Sequence, residues 1–114
     1  MTLPPELLQT ISDSRARVRF SFPWWLRPFL MRGVDGITIG RRIYMNCEDE
    51  TLLRHELVHV RQIARVGVVR FYSRYVIEYI RNRRSGMSSH DAYAGISFEK
   101  EALDAESPIL NNLR

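Results

Sequence analysis

The chain has one cysteine, one lysine and no long apolar run. Cys47 alone cannot close an internal disulfide, so a packed core or a metal must hold the fold, and a reducing compartment suits it. No stretch approaches the ~20 consecutive apolar residues that crossing a bilayer requires. The first ten residues carry Pro4, Pro5 and Glu6 rather than a cationic start followed by an apolar run. No signal peptide is therefore expected, and the expected location is the cytoplasm. With Lys100 the sole lysine, almost all positive charge is arginine. The formal net charge of +4 describes a surface that attracts anions without naming one. No recognition-helix or RNA-binding motif accompanies it, so no nucleic-acid partner is expected.

What is present fits one globular domain of 114 residues, 45% hydrophobic and 26% charged. The patterning predicts an α+β fold, mainly α. A helical and aromatic segment spans 1–36, and a hairpin followed by helices spans 37–106. Pro4-Pro5-Glu6 opens a short helix with Leu7, Leu8 and Ile11 on one side, ending near Ser12-Asp13-Ser14. Between Phe20 and Met31, Pro23 and Pro28 allow a helical turn at most. There Trp24, Trp25 and Phe29 with Arg27 and Arg32 offer a membrane-surface wedge and peripheral membrane contact. The plainer reading, which we adopt at this point, is that these rings roof a small core. A turn at Gly33–Gly36 precedes two strands, Ile37-Thr38-Ile39 and Ile43-Tyr44-Met45, joined through Gly40-Arg41. An edge strand of this hairpin could take an extended peptide as a further strand.

The next element begins in the acidic, cap-rich run Glu48-Asp49-Glu50-Thr51 and runs as a helix from about Asp49 to Arg65, stopping at Gly67. A second helix, Val68 to Arg84, carries Phe71, Tyr72, Tyr75, Val76, Tyr79 and Ile80 at helical spacing, a stripe read as core. Its Arg74 and Glu78 stand four apart, as an ion pair would. One or two helical turns are expected near Ser88–Tyr93. A last helix, capped by Ser97, should run from Phe98 to about Glu106 and stop before Pro108, with a loosely held tail from Ile109.

The first long helix carries the chemistry. Arg54-His55-Glu56-Leu57-Val58-His59 contains His-Glu-x-x-His, and residues four apart on a helix lie one above the other. His55 and His59 can therefore offer ring nitrogens to one metal ion. Glu56 sits about 100° round from His55, placed to hydrogen-bond a water held by that metal and take its proton. The bland alternative is two surface histidines and a solvated carboxylate. Leu52, Leu53, Leu57, Val58, Val60 and Ile63 argue against it, because they make the helix apolar over much of its circumference. A catalytic zinc site needs a third protein ligand. His90, Glu99, Glu101 and Asp104 are the downstream choices. His90 has no apolar frame. Helical spacing alone leaves both Glu99 and Glu101 open, since each shares a face with apolar neighbours.

His55-Glu56-x-x-His59 followed on a separate helix by Glu99-x-x-Ala102 resembles the gluzincin metallopeptidases, and the small size is similar to that of minigluzincin-like proteins. The resemblance covers mainly residues 37–106. It implies a minimal zincin-like domain, with a β-hairpin packed on an active-site helix, a spacer helix and a glutamate helix. It further implies Zn2+ as cofactor, His55, His59 and Glu99 as ligands, Glu56 as base, and Ala102 as the small residue that lets the two helices approach. Many gluzincins place an acid four residues after the ligand glutamate to orient a histidine; here that position is Leu103. The orienting partner must come from elsewhere, with Asn46, Asp91 or a backbone carbonyl as choices. The matched stretch includes no C-terminal subdomain, so the substrate site should be shallow or completed in a homo-oligomer.

The function expected is a zinc-dependent hydrolase, a metallopeptidase with a peptide or protein substrate. Tyr93 and Tyr44 are candidate donors to a developing oxyanion; for each the plainer reading is a buried tyrosine with an ordinary partner. Cys47 could in principle ligate the metal and hold the site latent, and is more simply a small core residue. The alternative function, of a different class, keeps a structural or latent metal and uses the basic, aromatic surface as a binding module.

Overall fold

The computed structural model describes residues 2–30 and 34–105. Met1, Met31, Arg32, Gly33, the side chains of Phe29 and Ala105, and everything from Glu106 onward lie outside them; these carry parts of the expected wedge, turn, last helix and tail. The architecture is α+β and mainly helical, as the patterning implied. In chain order it runs α1 (Pro5–Asp13), β1 (Arg17–Arg19), a 3-10 turn (Arg27–Phe29), β2 (Gly36–Ile39), β3 (Arg42–Met45), α2 (Glu50–Val66), α3 (Val68–Arg84), α4 (Ser89–Ala94) and α5 (Ser97–Ala105).

Each boundary has a local cause. Pro5 occupies the first turn of α1, where its missing N–H costs nothing, and Glu6 complements the dipole there. Asp49 caps α2 by accepting from the backbone N–H groups of Thr51 and Leu52. Gly67, at φ 92°, ends α2 and lets α3 start one residue later. Gly40, at φ 63°, takes the first central place of the two-residue hairpin turn, where a side chain would be strained. Ser88 caps α4 through Asp91 N–H. Ser97 departs from its expected role. The Glu78 carboxylate of α3 accepts from both Ser97 N–H and Ser97 Oγ–H, so an acid from another helix satisfies the start of α5. Arg74, expected to pair with Glu78, instead lies 4.8 Å over the Phe98 ring.

The sheet has three strands in the order β1-β3-β2, with β1 parallel and β2 antiparallel to β3. β1 was not expected. Arg17-Val18-Arg19 holds one apolar residue, too little alternation to announce a strand, and its pairing partners come more than twenty residues later. The inner face of the sheet presents Val18, Thr38, Ile43 and Met45. Ile43 and Met45 pack with Leu7 of α1 and Leu53, Leu57 and Val60 of α2 to form the main core. Each such fully buried aliphatic side chain contributes about 1.5–3 kcal/mol. A second cluster, Ile63, Phe71, Ile96 and Phe98, joins α2 to α3 and α5. Helix α2 is thus buried on several sides, the condition under which its polar residues need partners.

The α3 stripe is corrected in part. Phe71 is core, and Tyr72, Tyr75 and Tyr79 are half-buried with hydroxyls bonded to three different elements. Val76 and Ile80, read with them, are exposed. The reading of 20–31 as a roof is also corrected. Leu26 is buried, Trp25 stands edge-on to Tyr44, and Trp24 is 82% exposed.

Candidate metal centre

Helix α2 brings His55 and His59 to one face, and α5 crosses that face with Glu99. His55 Nε2 lies 2.8 Å from Glu99 Oε2, and His59 Nε2 lies 2.8 Å from Glu99 Oε1. All three side chains are buried, Glu99 to 3% exposure. Fully buried Ala102, one turn on from Glu99, has no bulk to hold the helices apart. Glu101 points elsewhere, accepting from Gln62 Nε2 at 2.9 Å and lying 3.3 Å from Arg65. His90 is exposed on α4, and Cys47 is half-buried outside the histidine group. Of Cys47, His90, Glu99 and Glu101, the fold joins Glu99 to the histidines.

The donor set suits a metal ion. One ligand atom each from His55, His59 and Glu99 falls within 4.8 Å of the others. Neighbouring ligand atoms on a tetrahedral ion with bonds of about 2.0–2.1 Å are themselves about 3.3 Å apart, so small rotations of side chains would admit one. Among the described residues no fourth His, Cys, Asp or Glu joins the group. Two imidazoles and a carboxylate, buried together, could hold a divalent cation.

Electrostatics explain how the group persists. Burial alone would raise the Glu99 carboxyl. Hydrogen bonds and charge from His55 and His59 outweigh it and hold Glu99 well below the usual carboxylate range. Burial alone would likewise lower His59, but Glu99, then Glu56 and Gln62, raise it. Tyr75 of α3 donates to Glu99 Oε1 at 2.8 Å, and its own hydroxyl is pushed far up by burial and the Glu99 charge.

The orienting partner of His59 is Gln62. Its Oε1 lies 2.8 Å from His59 Nδ1, while its Nε2 donates to the Phe98 carbonyl at 3.0 Å and to Glu101. A Gln Oε1 accepts only, so the contact places a proton on Nδ1 and turns Nε2 toward the shared space. The expected side-chain partners Asn46 and Asp91 are both exposed, and the Asn46 backbone N–H bonds Asp35 O at the strand end. Gln62 was legible after all. It follows His59 by three residues, hence on the same face, and is the lone amide in a buried helix. Leu103, which stands where an orienting acid would, is exposed.

Glu56 stands beside this group. Its Oε2 accepts from Thr38 Oγ1 at 2.6 Å, and the same hydroxyl lies 3.2 Å from the Glu56 carbonyl. Burial pushes the Glu56 carboxyl up, partly opposed by His59, Thr38 and His55. Gly36 leaves room here, since a Cβ on it would come within 3.4 Å of Glu56 Oε1. An open cavity of about 800 Å3 has Gly36, His55, Glu56, His90, Tyr93 and Glu99 in its wall. Strand β2 is an edge of the sheet at this cavity. Tyr72 closes its far end, donating to Thr38 O and accepting from Gly40 N–H, both at 3.1 Å.

Tyr93 stands on the cavity wall, its hydroxyl pushed up first by burial and then by the Glu99 charge. Tyr44 does not belong to the site. It alternates with Ile43 and so faces the opposite side of the sheet from α2, against Trp25. Comparison with family models, with curated proteins and with solved structures finds no match to this chain.

Proposed function

We propose that this protein is a zinc-dependent hydrolase acting on peptide bonds, with His55, His59 and Glu99 as metal ligands and Glu56 as general base. The observation that carries the reading is the meeting of both His-Glu-x-x-His histidines with one buried glutamate from a second helix, at the wall of an open cavity. A zinc ion held there would act as a Lewis acid toward a scissile carbonyl and lower the pKa of water. The residues supply the rest. Glu56, raised by burial and steadied by Thr38, takes a proton from the attacking water and returns it to the leaving amine. Gln62 holds the His59 tautomer, and Tyr75 holds the Glu99 carboxylate. Tyr93, neutral at working pH, donates to the developing oxyanion. An extended peptide would lie along the open edge of β2 at Gly36.

A purely structural metal site closes with a fourth protein ligand. The donor set, three residues among those described and open to a cavity, favours the catalytic reading over the latent or binding-module one. The test is Glu56→Gln, assayed on a mixed peptide library with zinc content measured alongside. The variant should keep its zinc and lose turnover. Equal hydrolysis by both forms would sink the mechanism.

A further inference from the structure

Among the described residues no helix packs on the outer face of the sheet, where Trp25 stands against Tyr44, and the composition of this face is unusual. Strand alternation puts Arg17 and Arg19 of β1, Arg42 and Tyr44 of β3, and Ile37 and Ile39 of β2 on this face, opposite the core. The register sets Arg17 directly beside Arg42, with Ile39 beyond it. Like charges side by side on adjacent strands oppose folding. Arg41 in the hairpin turn and Arg15, held at φ 55° before β1, extend the row, and with Ile39 these four arginines line one shallow hollow. Among the described residues none of Arg15, Arg17, Arg41 and Arg42 pairs with a carboxylate. A face that gathers four unneutralised guanidinium groups is matched to phosphate, which arginine can grip in a bidentate fork.

The apolar part of the face is built with equal definition. Leu26 N–H bonds Pro23 O at 3.0 Å, closing a turn whose base residues, Pro23 and Leu26, are buried. Trp24 and Trp25 occupy its apex. Trp25 rests edge-on against Tyr44 of the outer face, ring centroids 6.0 Å apart, and is still 45% exposed, while Trp24 is 82% exposed. Phe20 is exposed nearby in sequence, and Arg19 and Arg27 flank the segment. A free indole at the tip of an anchored turn has no role in the core.

We propose that this face docks on the surface of an anionic phospholipid bilayer, the arginine row meeting headgroup phosphates and Trp24 entering the interfacial layer. Indoles favour that layer because one edge is apolar and the N–H is wet. Ile39, 40% exposed amid the arginines, and the arginine stems add apolar area that a lipid interface accepts and a bare phosphate chain does not. A nucleic acid is the competing occupant, since phosphates and bases could also meet arginine and tryptophan. The proposal stands on residues remote from the metal centre and does not depend on its chemistry.

The test is co-sedimentation of the full chain with vesicles of phosphatidylcholine, alone or mixed with phosphatidylserine, over a range of salt. Binding should require the anionic lipid and weaken with salt. Each cation near an anionic leaflet strengthens partitioning about fivefold, so Arg17→Gln with Arg42→Gln should lose about 25-fold. Trp24→Ser, at a site too exposed to disturb folding, should weaken binding several-fold, and wild-type tryptophan emission should shift to the blue on vesicles. Failure to sediment with the mixed vesicles overturns the proposal, as does equal binding to both vesicle types. Unchanged binding by Trp24→Ser overturns the wedge. A single-stranded oligonucleotide that binds and strips the protein from vesicles assigns the face to nucleic acid instead.

Discussion

Gln62→Met removes the amide that sits between the metal face of α2 and the backbone of α5 while nearly keeping its volume. Gln62 is 1% exposed and makes hydrogen bonds to His59 Nδ1, Phe98 O and Glu101. The substitution strands one buried group, the His59 N–H; the Phe98 carbonyl keeps its bond within α5, and Glu101 keeps Arg65. At about 1–3 kcal/mol for a stranded buried group, the metal-free protein should lose about 1–3 kcal/mol of stability. The larger interest is the metal. With Nδ1 no longer pinned, His59 is free to change tautomer and ring orientation, and loss of such an outer partner typically weakens metal binding 10–100-fold. The assay is zinc competition against a chromophoric chelator, with thermal melting in excess chelator run beside it to separate the two effects. A folded Gln62→Met protein that binds zinc as tightly as wild type would refute the positioning role, whatever its melting temperature does.

Two further outcomes follow from the same geometry. Glu99→Ala and His59→Ala should each lose zinc by elemental analysis, whereas Glu101→Ala, at a residue bonded to Gln62 and Arg65, should keep it; retention in Glu99→Ala would move the third ligand elsewhere. The pH dependence of the chelator-treated protein has a definite shape. Glu99 is depressed on folding, so its contribution is present above the ordinary carboxyl value of 4.5 and is lost as pH falls below it. His59 is raised, so its contribution is complete below 6.5 and is lost as pH rises through the folded value. Melting temperature should therefore peak between these limits, and Glu99→Gln should flatten both flanks; a monotonic rise to neutral pH would contradict the pairing.

Local physics made much of this legible. Asp49 as a cap and Gly67 as a stop bound α2, the hairpin follows from Gly40 between alternating apolar residues, and α3 ends in its arginines. The strand β1 escaped because three residues with one apolar side chain carry no period, and its identity lies in the hydrogen bonds of β3. The roof reading failed for Trp24 for a related reason. Aromatic content says that rings want cover, but the turn on buried Pro23 and Leu26 set Trp25 against Tyr44 and left Trp24 outside. Tyr44 could not be assigned a side until the register showed Ile43, not Tyr44, against α2.

By itself the sequence determined that His55 and His59 share a helix face with Glu56 beside them, because a 3.6-residue period is a property of the chain and needs no partner. Helical spacing could not choose between Glu99 and Glu101, which lie on different sides of a short helix with apolar neighbours on both; Glu99 was favoured through the Glu-x-x-Ala resemblance alone. Tertiary packing chose. Ile96 and Phe98 lock α5 against Ile63 and Phe71, and that roll buries Glu99 44 residues away from His55 while leaving Glu101 at the rim with Gln62 and Arg65. The same holds for Tyr75 on Glu99, Thr38 on Glu56 and the arginine row: each is a meeting of residues distant in the chain. Side-chain type and spacing give the chemistry on offer, and only packing decides which groups share a volume small enough to use it.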